Sequence, residues 1–163
     1  MSLDDLLSEA IRLRSNENFI DAENSFIKLI QDYPDNSLVN YHFAWLYDKM
    51  GQESNAVPFY EKAIQLGLPD EELKGALLGL GSTYRTLGKY EEAVKILKAG
   101  KEKFNNSIEF EVFLSMVYYN LKKYDQSMEL LLRILANTSN NEGIQRYKKA
   151  ILFYSDKLDK IWN

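Results

Sequence analysis

The sequence predicts an all-α fold built from repeated helical hairpins, and three observations carry that prediction. Segments around Ala22, Ala56, Ala93 and Ser127 resemble one another at spacings of 34, 37 and 34 residues. Self-similarity at a fixed period of a few tens of residues marks a repeat array. The 163 residues include 3 prolines and 8 glycines, too few for the many turns of an all-β domain but enough to separate a series of helices. Apolar residues also recur at three- and four-residue spacing, the period of a helix face.

Helices are predicted near 3–14, 18–32, 37–50, 53–66, 71–87, 90–104, 108–121, 124–137 and 142–161. In the first hairpin the second helix is marked by Phe19, Ala22, Phe26 and Leu29, ending before Pro34. Its first helix offers Leu6, Glu9, Ala10 and Leu13, and polar Glu9 at an apolar place suits a terminal unit whose outer face meets water. The second hairpin turns at Gly51 and stops at Gly67. Pro58 fits its second helix if Ser54 or Asn55 is the cap, because a first-turn N–H has no intrahelical partner to lose. The third begins at Asp70 before Glu71 and Glu72 and turns at Gly88; the fourth begins at Ser107 before Glu109. Capping side chains and negative charge favour such helix starts. Asn141 before Glu142 opens the last helix, where Ile144, Tyr147, Ile151, Tyr154, Leu158 and Ile161 draw a single apolar stripe. An open array needs an end cover of this kind. Leu152, Phe153 and Trp162 lie off the stripe and leave apolar surface for a second copy of the chain, so a homodimer through this end is the second reading.

Small residues at Ala22, Ala44, Ala56, Ala63, Gly81 and Ala93 fall where the two helices of a hairpin touch, and they let the axes approach. No hairpin is large enough to bury its own apolar face, so neighbours must share a core. With 45% hydrophobic residues the chain suits a single domain over 1–163.

Composition also narrows the chemistry. With 20 basic and 24 acidic residues the net charge is −4, which gives no electrostatic reason to bind nucleic acid. No apolar run reaches the ~20 residues needed to cross a bilayer and no signal-peptide layout opens the chain, so no membrane partner and a cytoplasmic protein are expected. There is no cysteine, and the one histidine, His42, has no set of ligand or triad partners around it in the sequence. Acidic pairs such as Asp4-Asp5, Glu71-Glu72 and Glu91-Glu92 sit at helix starts, where the dipole favours them, and read as caps rather than catalytic carboxylates. Gly79 and Gly81 form a G-x-G inside a helix, where glycine serves packing rather than a phosphate. Neither an enzyme nor a cofactor or metal site is expected.

The clearest unit places Leu77, Leu80, Gly81 and Tyr84 ahead of Gly88, Tyr90, Ala93 and Leu97. Phe43, Ala44, Tyr47, Gly51, Ala56, Tyr60 and Ala63 repeat that pattern, as do Leu114, Ser115, Tyr118, Tyr124, Ser127 and Leu131, with Lys122 at the turn. The pattern resembles the tetratricopeptide repeat (TPR) family, with Leu in place of the usual Trp and Phe. The resemblance implies a right-handed α-α superhelix of four repeats, about 3–36, 37–70, 74–107 and 108–141, with a capping helix over 142–161. It also implies a concave groove, lined by the first helix of each unit, that binds a protein or peptide partner as an adaptor or scaffold; the alternative is a self-associating structural protein in which a second copy occupies this groove or the C-terminal helix.

Carrying the groove-facing places of the family onto this chain gives Leu7, Ile11 and Arg14 in the first unit, and Tyr41, Trp45, Asp48 and Lys49 in the second. The third gives Leu78, Ser82 and Arg85, and the fourth Val112, Met116, Tyr119 and Asn120. Trp45 and Tyr41 are expected as apolar anchors, Arg85 and Arg14 as donors to a carboxylate or carbonyl, and Asp48 as the partner of a cation. Tryptophan, tyrosine and arginine most often dominate binding energy. A subgroup of the family grips a C-terminal acidic residue with a clamp of Lys, Asn and Arg, but the matching places here hold Leu7, Ile11, His42, Gly75 and Gly79, so that clamp is not expected. Burial of Tyr41 and Trp45 by neighbouring helices is the competing reading, since aromatics at helical spacing are commonly core.

Overall fold

The chain enters its first helix through a reciprocal cap. Ser2 Oγ accepts the Asp5 backbone N–H at 3.2 Å, while the Asp5 carboxylate accepts the Ser2 N–H at 2.9 Å. Two donors that the helix itself leaves unsatisfied are thereby paired. In the computed structural model, which describes residues 2–162, α1 (Leu3–Ser15) is followed by α2 (Phe19–Asp32), α3 (Ser37–Lys49), α4 (Glu53–Leu66) and α5 (Asp70–Thr86). Then come α6 (Tyr90–Lys103), α7 (Glu109–Asn120), α8 (Tyr124–Thr138), α9 (Glu142–Arg146) and α10 (Lys148–Tyr154). The first eight match the sequence expectation to within one residue at each end.

The chain divides into two compact units, Met1–Lys89 and Tyr90–Asn163. In unit one, α1 packs on α2, α3 on α4, and α5 on α4 and α3. Its core gathers Leu7, Ala10, Ala22, Phe26, Leu29, Val39, Phe43 and Leu46. Phe26 stacks on Phe43 at 5.6 Å between ring centres, and Phe43 meets Phe59 at 4.7 Å. Stacked and tilted rings of this kind add to the burial term rather than replace it. Ala22, Ala44, Ala56 and Ala63 are fully buried, as expected for residues at helix–helix contacts.

In unit two, α6 packs on α7, α7 on α8, and α8 receives α9 and α10. Serine replaces alanine at two of its contact positions without leaving a buried hydroxyl unpaired. Ser127 Oγ donates to the Ser115 carbonyl at 2.7 Å and Ser115 Oγ to the Val112 carbonyl at 2.6 Å. Four turns between paired helices pass through a left-handed residue, Glu17 (φ 61°), Gly51 (φ 68°), Gly88 (φ 75°) and Lys122 (φ 60°). They recur at the same 34-, 37- and 34-residue spacing as the small residues. Glycine takes this conformation without steric cost, whereas Glu17 and Lys122 do not.

Three local expectations are corrected. Pro58 lies in the second turn of α4, because the cap is Gln52. It deprives the Ser54 carbonyl of its partner, and that residue is exposed to water. Asp70 and Ser107 are not the caps of α5 and α7, which start after Pro69 and Ile108. The single helix expected over 142–161 is broken at Tyr147 (φ −99°, ψ 9°) into α9 and α10, and residues beyond Tyr154 form turns. The Gln145 side chain ties α9 to the end of α8 by donating to the carbonyls of Ala136 and Ser139 at 3.1 and 2.7 Å. The chain reaches α8 again through α10. Ile144 and Ile151 are half-buried, but Tyr147, Leu158 and Ile161 are exposed, so the stripe is not used as one face.

Candidate functional site

The first helices of unit one bring together a polar and aromatic cluster. Tyr41 and Trp45, four residues apart on α3, share a face, with ring centres 5.9 Å apart. Tyr41 also meets Tyr60 of α4 at 6.3 Å. Tyr41 is buried and Trp45 is 38% exposed. The Arg14 guanidinium lies 4.0 Å from the centre of the Trp45 ring. Its Nη1 donates to the His42 carbonyl at 3.1 Å and to His42 Nδ1 at 3.3 Å. Arg14 is only 3% exposed, and it pairs with no carboxylate. Burial therefore lowers its own pKa, while the neighbouring hydroxyls of Tyr41 and Tyr60 act the other way. Burial, reinforced by the Arg14 charge, pulls the His42 pKa down to about 4, so the ring is neutral at pH 7 and its Nδ1 is free to accept.

The acid of this cluster, Asp48, is engaged elsewhere. Tyr60 Oη donates to Asp48 Oδ2 at 2.7 Å. Thr83 of α5 shares its hydroxyl proton between Asp48 Oδ1 and the Gly79 carbonyl, both at 2.8 Å. Burial raises the Asp48 pKa, while the hydrogen bonds from Tyr60 and Thr83 hold it down. The close approach of α5 depends on two glycines. A Cβ on Gly75 would lie 2.3 Å from the Tyr41 hydroxyl, and one on Gly79 would lie 2.6 Å from that of Tyr60. Gly79 thus serves packing, as its helical position suggests.

The structure distributes the other sequence-derived residues unevenly. Leu7 is buried in the core of unit one, and Ile11, half-buried, packs against that core. Lys49 is exposed, and Leu78, Ser82 and Arg85 are half-buried along α5. In unit two, Met116 and Tyr119 of α7 are exposed, Tyr119 meeting Tyr124 edge-on at 5.1 Å, while Val112 and Asn120 are half-buried. His42, Tyr60 and Thr83 are cluster members that the sequence did not mark as such. Each reaches the cluster through a contact between helices, and no local spacing announces such a contact. Among the described residues no group of three His, Cys, Asp or Glu is placed to hold a metal ion, and no helix is long and apolar enough to cross a membrane.

This architecture of paired helices, with small residues at the contacts and left-handed turns at a regular spacing, is that of a helical repeat protein. The family model described as Tetratrico peptide repeat matches residues 37–158, and the chain belongs to that family. No curated protein matches the chain. Among solved structures it is similar to YrrB, a TPR protein with an unusual peptide-binding site, at 17% identity and a TM-score of 0.75 over 91% of this chain and 75% of that one. It is also similar to MamA, at 14% identity and a TM-score of 0.72 over 94% and 89%. A third likeness is to the APC/C hetero-tetramer Cut9–Hcn1, at 17% identity and a TM-score of 0.74 over 93% of this chain and 30% of that one. At these identities the likeness is one of fold.

Proposed function

We propose that the chain is a non-catalytic protein-interaction module, an adaptor or scaffold that holds a partner segment against the first-helix face of unit one. The observation that carries this reading is Trp45, 38% exposed beside the buried rings of Tyr41 and Tyr60 and the half-buried ring of His42. An anchored but partly open indole next to an arginine is the residue type and setting that dominates binding at protein interfaces. Met116 and Tyr119 offer a second exposed apolar patch on unit two. The reading is supported by the family, and by YrrB and Cut9–Hcn1, described respectively as having a peptide-binding site and as a hetero-tetramer. Affinity capture from lysate with wild type and Trp45→Ala, both checked for equal helicity, tests it. A partner held by wild type should be lost by the variant, with affinity reduced at least ~10-fold. Equal capture by both would move the site away from this face.

A second reading is self-association through the C-terminal end. Phe153, Tyr154 and Trp162 form a ring cluster with centres 5.1–6.3 Å apart, each ring about half exposed. Light scattering that shows a strict monomer at tens of micromolar would remove it.

A further inference from the structure

The segment from Lys148 to Trp162 carries charge of the opposite sign to the rest of the chain. It holds four lysines and two aspartates, a net charge of +2, where the remaining residues carry −6. The same segment exposes large apolar side chains to water. Phe153, Tyr154 and Trp162 are each about half exposed, Leu158 is 55% exposed and Ile161 88%. The cations and the rings occupy one place. The Lys157 ammonium lies 4.9 Å from the centre of the Phe153 ring, and that of Lys160 lies 4.0 Å from the centre of the Trp162 ring. The two rings meet each other at 5.7 Å. Lys149, exposed one helical turn before Phe153 on α10, falls on the same face of that helix. Asp156 offsets Lys157 by pairing with it, and Asp159 is the other acid of the segment.

Charge and side-chain type decide what covers this face. A second copy meeting it across a two-fold axis would set the same cationic patch against itself. Protein interfaces are enriched in aromatic residues but depleted in lysine, whereas here lysines lie over the ring faces. A nucleic acid would use the cations and stack its bases on the rings, and would leave the aliphatic Leu158 and Ile161 without a role. The surface of an anionic bilayer uses all three kinds of side chain. Rings and aliphatic groups enter the boundary between headgroups and acyl chains, while lysine stems lie along them and carry the ammonium groups back to the phosphates.

We propose that the aromatic and aliphatic face after Lys148, with the lysines that rim it, binds the surface of an anionic lipid bilayer. Contact of this kind is interfacial. Among the described residues no helix is long and apolar enough to cross a membrane, and that length sets no condition on lying at its surface. The proposal concerns a face of unit two and is independent of the partner segment assigned to unit one. It gives the cluster of Phe153, Tyr154 and Trp162 an occupant other than a second copy of the chain.

The test is co-sedimentation of the full chain with vesicles of phosphatidylcholine alone and of equimolar phosphatidylcholine and phosphatidylserine. Partitioning should be at least ~10-fold stronger onto the anionic vesicles, the scale set by a few lysines near such a surface. Raising salt from about 0.1 M to about 1 M, which shortens the screening length from about 10 Å to about 3 Å, should release most of the bound protein. Lipid chains labelled with bromine should quench the indole emission, and Trp162→Phe should abolish that quenching. Lys149→Glu with Lys160→Glu, and separately Ile161→Ser with Trp162→Ser, should each weaken partitioning at least ~10-fold; all four residues are exposed, so equal helicity is expected. Equal partitioning onto both vesicles, none onto the anionic ones, quenching that survives Trp162→Phe, or full retention by either double variant would overturn the proposal. So would a single-stranded RNA bound as tightly as the anionic vesicles. A dimer seen by light scattering without lipid and dissolved by Ile161→Ser with Trp162→Ser would assign the face to a second copy and overturn it as well. The comparison of the two vesicles needs no variant, so it decides the matter even if a substituted chain does not fold.

Discussion

His42 shows how a single residue acquires its properties from a neighbour that the sequence does not announce. Arg14 lies 28 positions away and on another helix, so the sequence presents the histidine as alone. In the fold its Nδ1 must stay unprotonated to accept from Arg14, and burial pulls its pKa from 6.5 to about 4. The unfolded ring takes up its proton near 6.5, so the unfolded state binds more protons between that pH and 4. Stability from this residue is therefore complete above pH 6.5 and lost as pH falls towards 4. Between pH 6.5 and 5 the expected loss is ~2 kcal/mol. Asp48 acts with the opposite sign, because a raised carboxylate pKa contributes stability that is lost as pH rises. Urea unfolding of wild type and His42→Gln at both pH values separates the two, and the variant should lack the histidine part of the slope.

At the level of elements, eight helices were legible because their signals are local: small residues at contact places, acidic first turns, and glycines after the last turn. The C-terminal segment was not, because a stripe in sequence says which side of a helix is apolar and nothing about whether a neighbour lies along its whole length. α8 receives α9 and α10 separately, so the chain bends at Tyr147 and the stripe is divided. The docking of α5 was legible only in part. Gly79 reads as a packing residue, but its partner, the Tyr60 hydroxyl, is on another helix. Gly79→Ala would gain about 1 kcal/mol in helix propensity. Its Cβ would meet Tyr60 Oη at 2.6 Å and Cζ at 2.8 Å, displacing the ring and its bond to Asp48. The expected net result is a destabilisation of ~2 kcal/mol, measured by urea unfolding. A variant as stable as wild type would show that the ring relaxes without cost.

Across the whole molecule the buried apolar residues are unevenly shared. Among the described residues, unit two contributes Ala93, Leu97, Phe110, Leu114, Val117 and Ala136 to the buried apolar residues, and unit one contributes the other eighteen. Stability in a repeat protein is close to a sum of local terms, so its parts need not unfold together. Each unit holds one tryptophan, Trp45 in unit one and Trp162 in unit two. Single-tryptophan variants should report different urea midpoints, with the Trp162 signal lost at the lower concentration; coincident midpoints would show one cooperative transition. The periodic backbone also conceals a loss of modularity. Gly75 and Gly79 are slots cut to receive Tyr41 and Tyr60, so α5 carries the imprint of the hairpin before it. Duplicating or shuffling these repeats, the ordinary way in which such arrays lengthen, would set that imprint against a neighbour lacking the tyrosines. The order of the hairpins is therefore written into their surfaces, and this chain has become a fixed sentence rather than a set of exchangeable words.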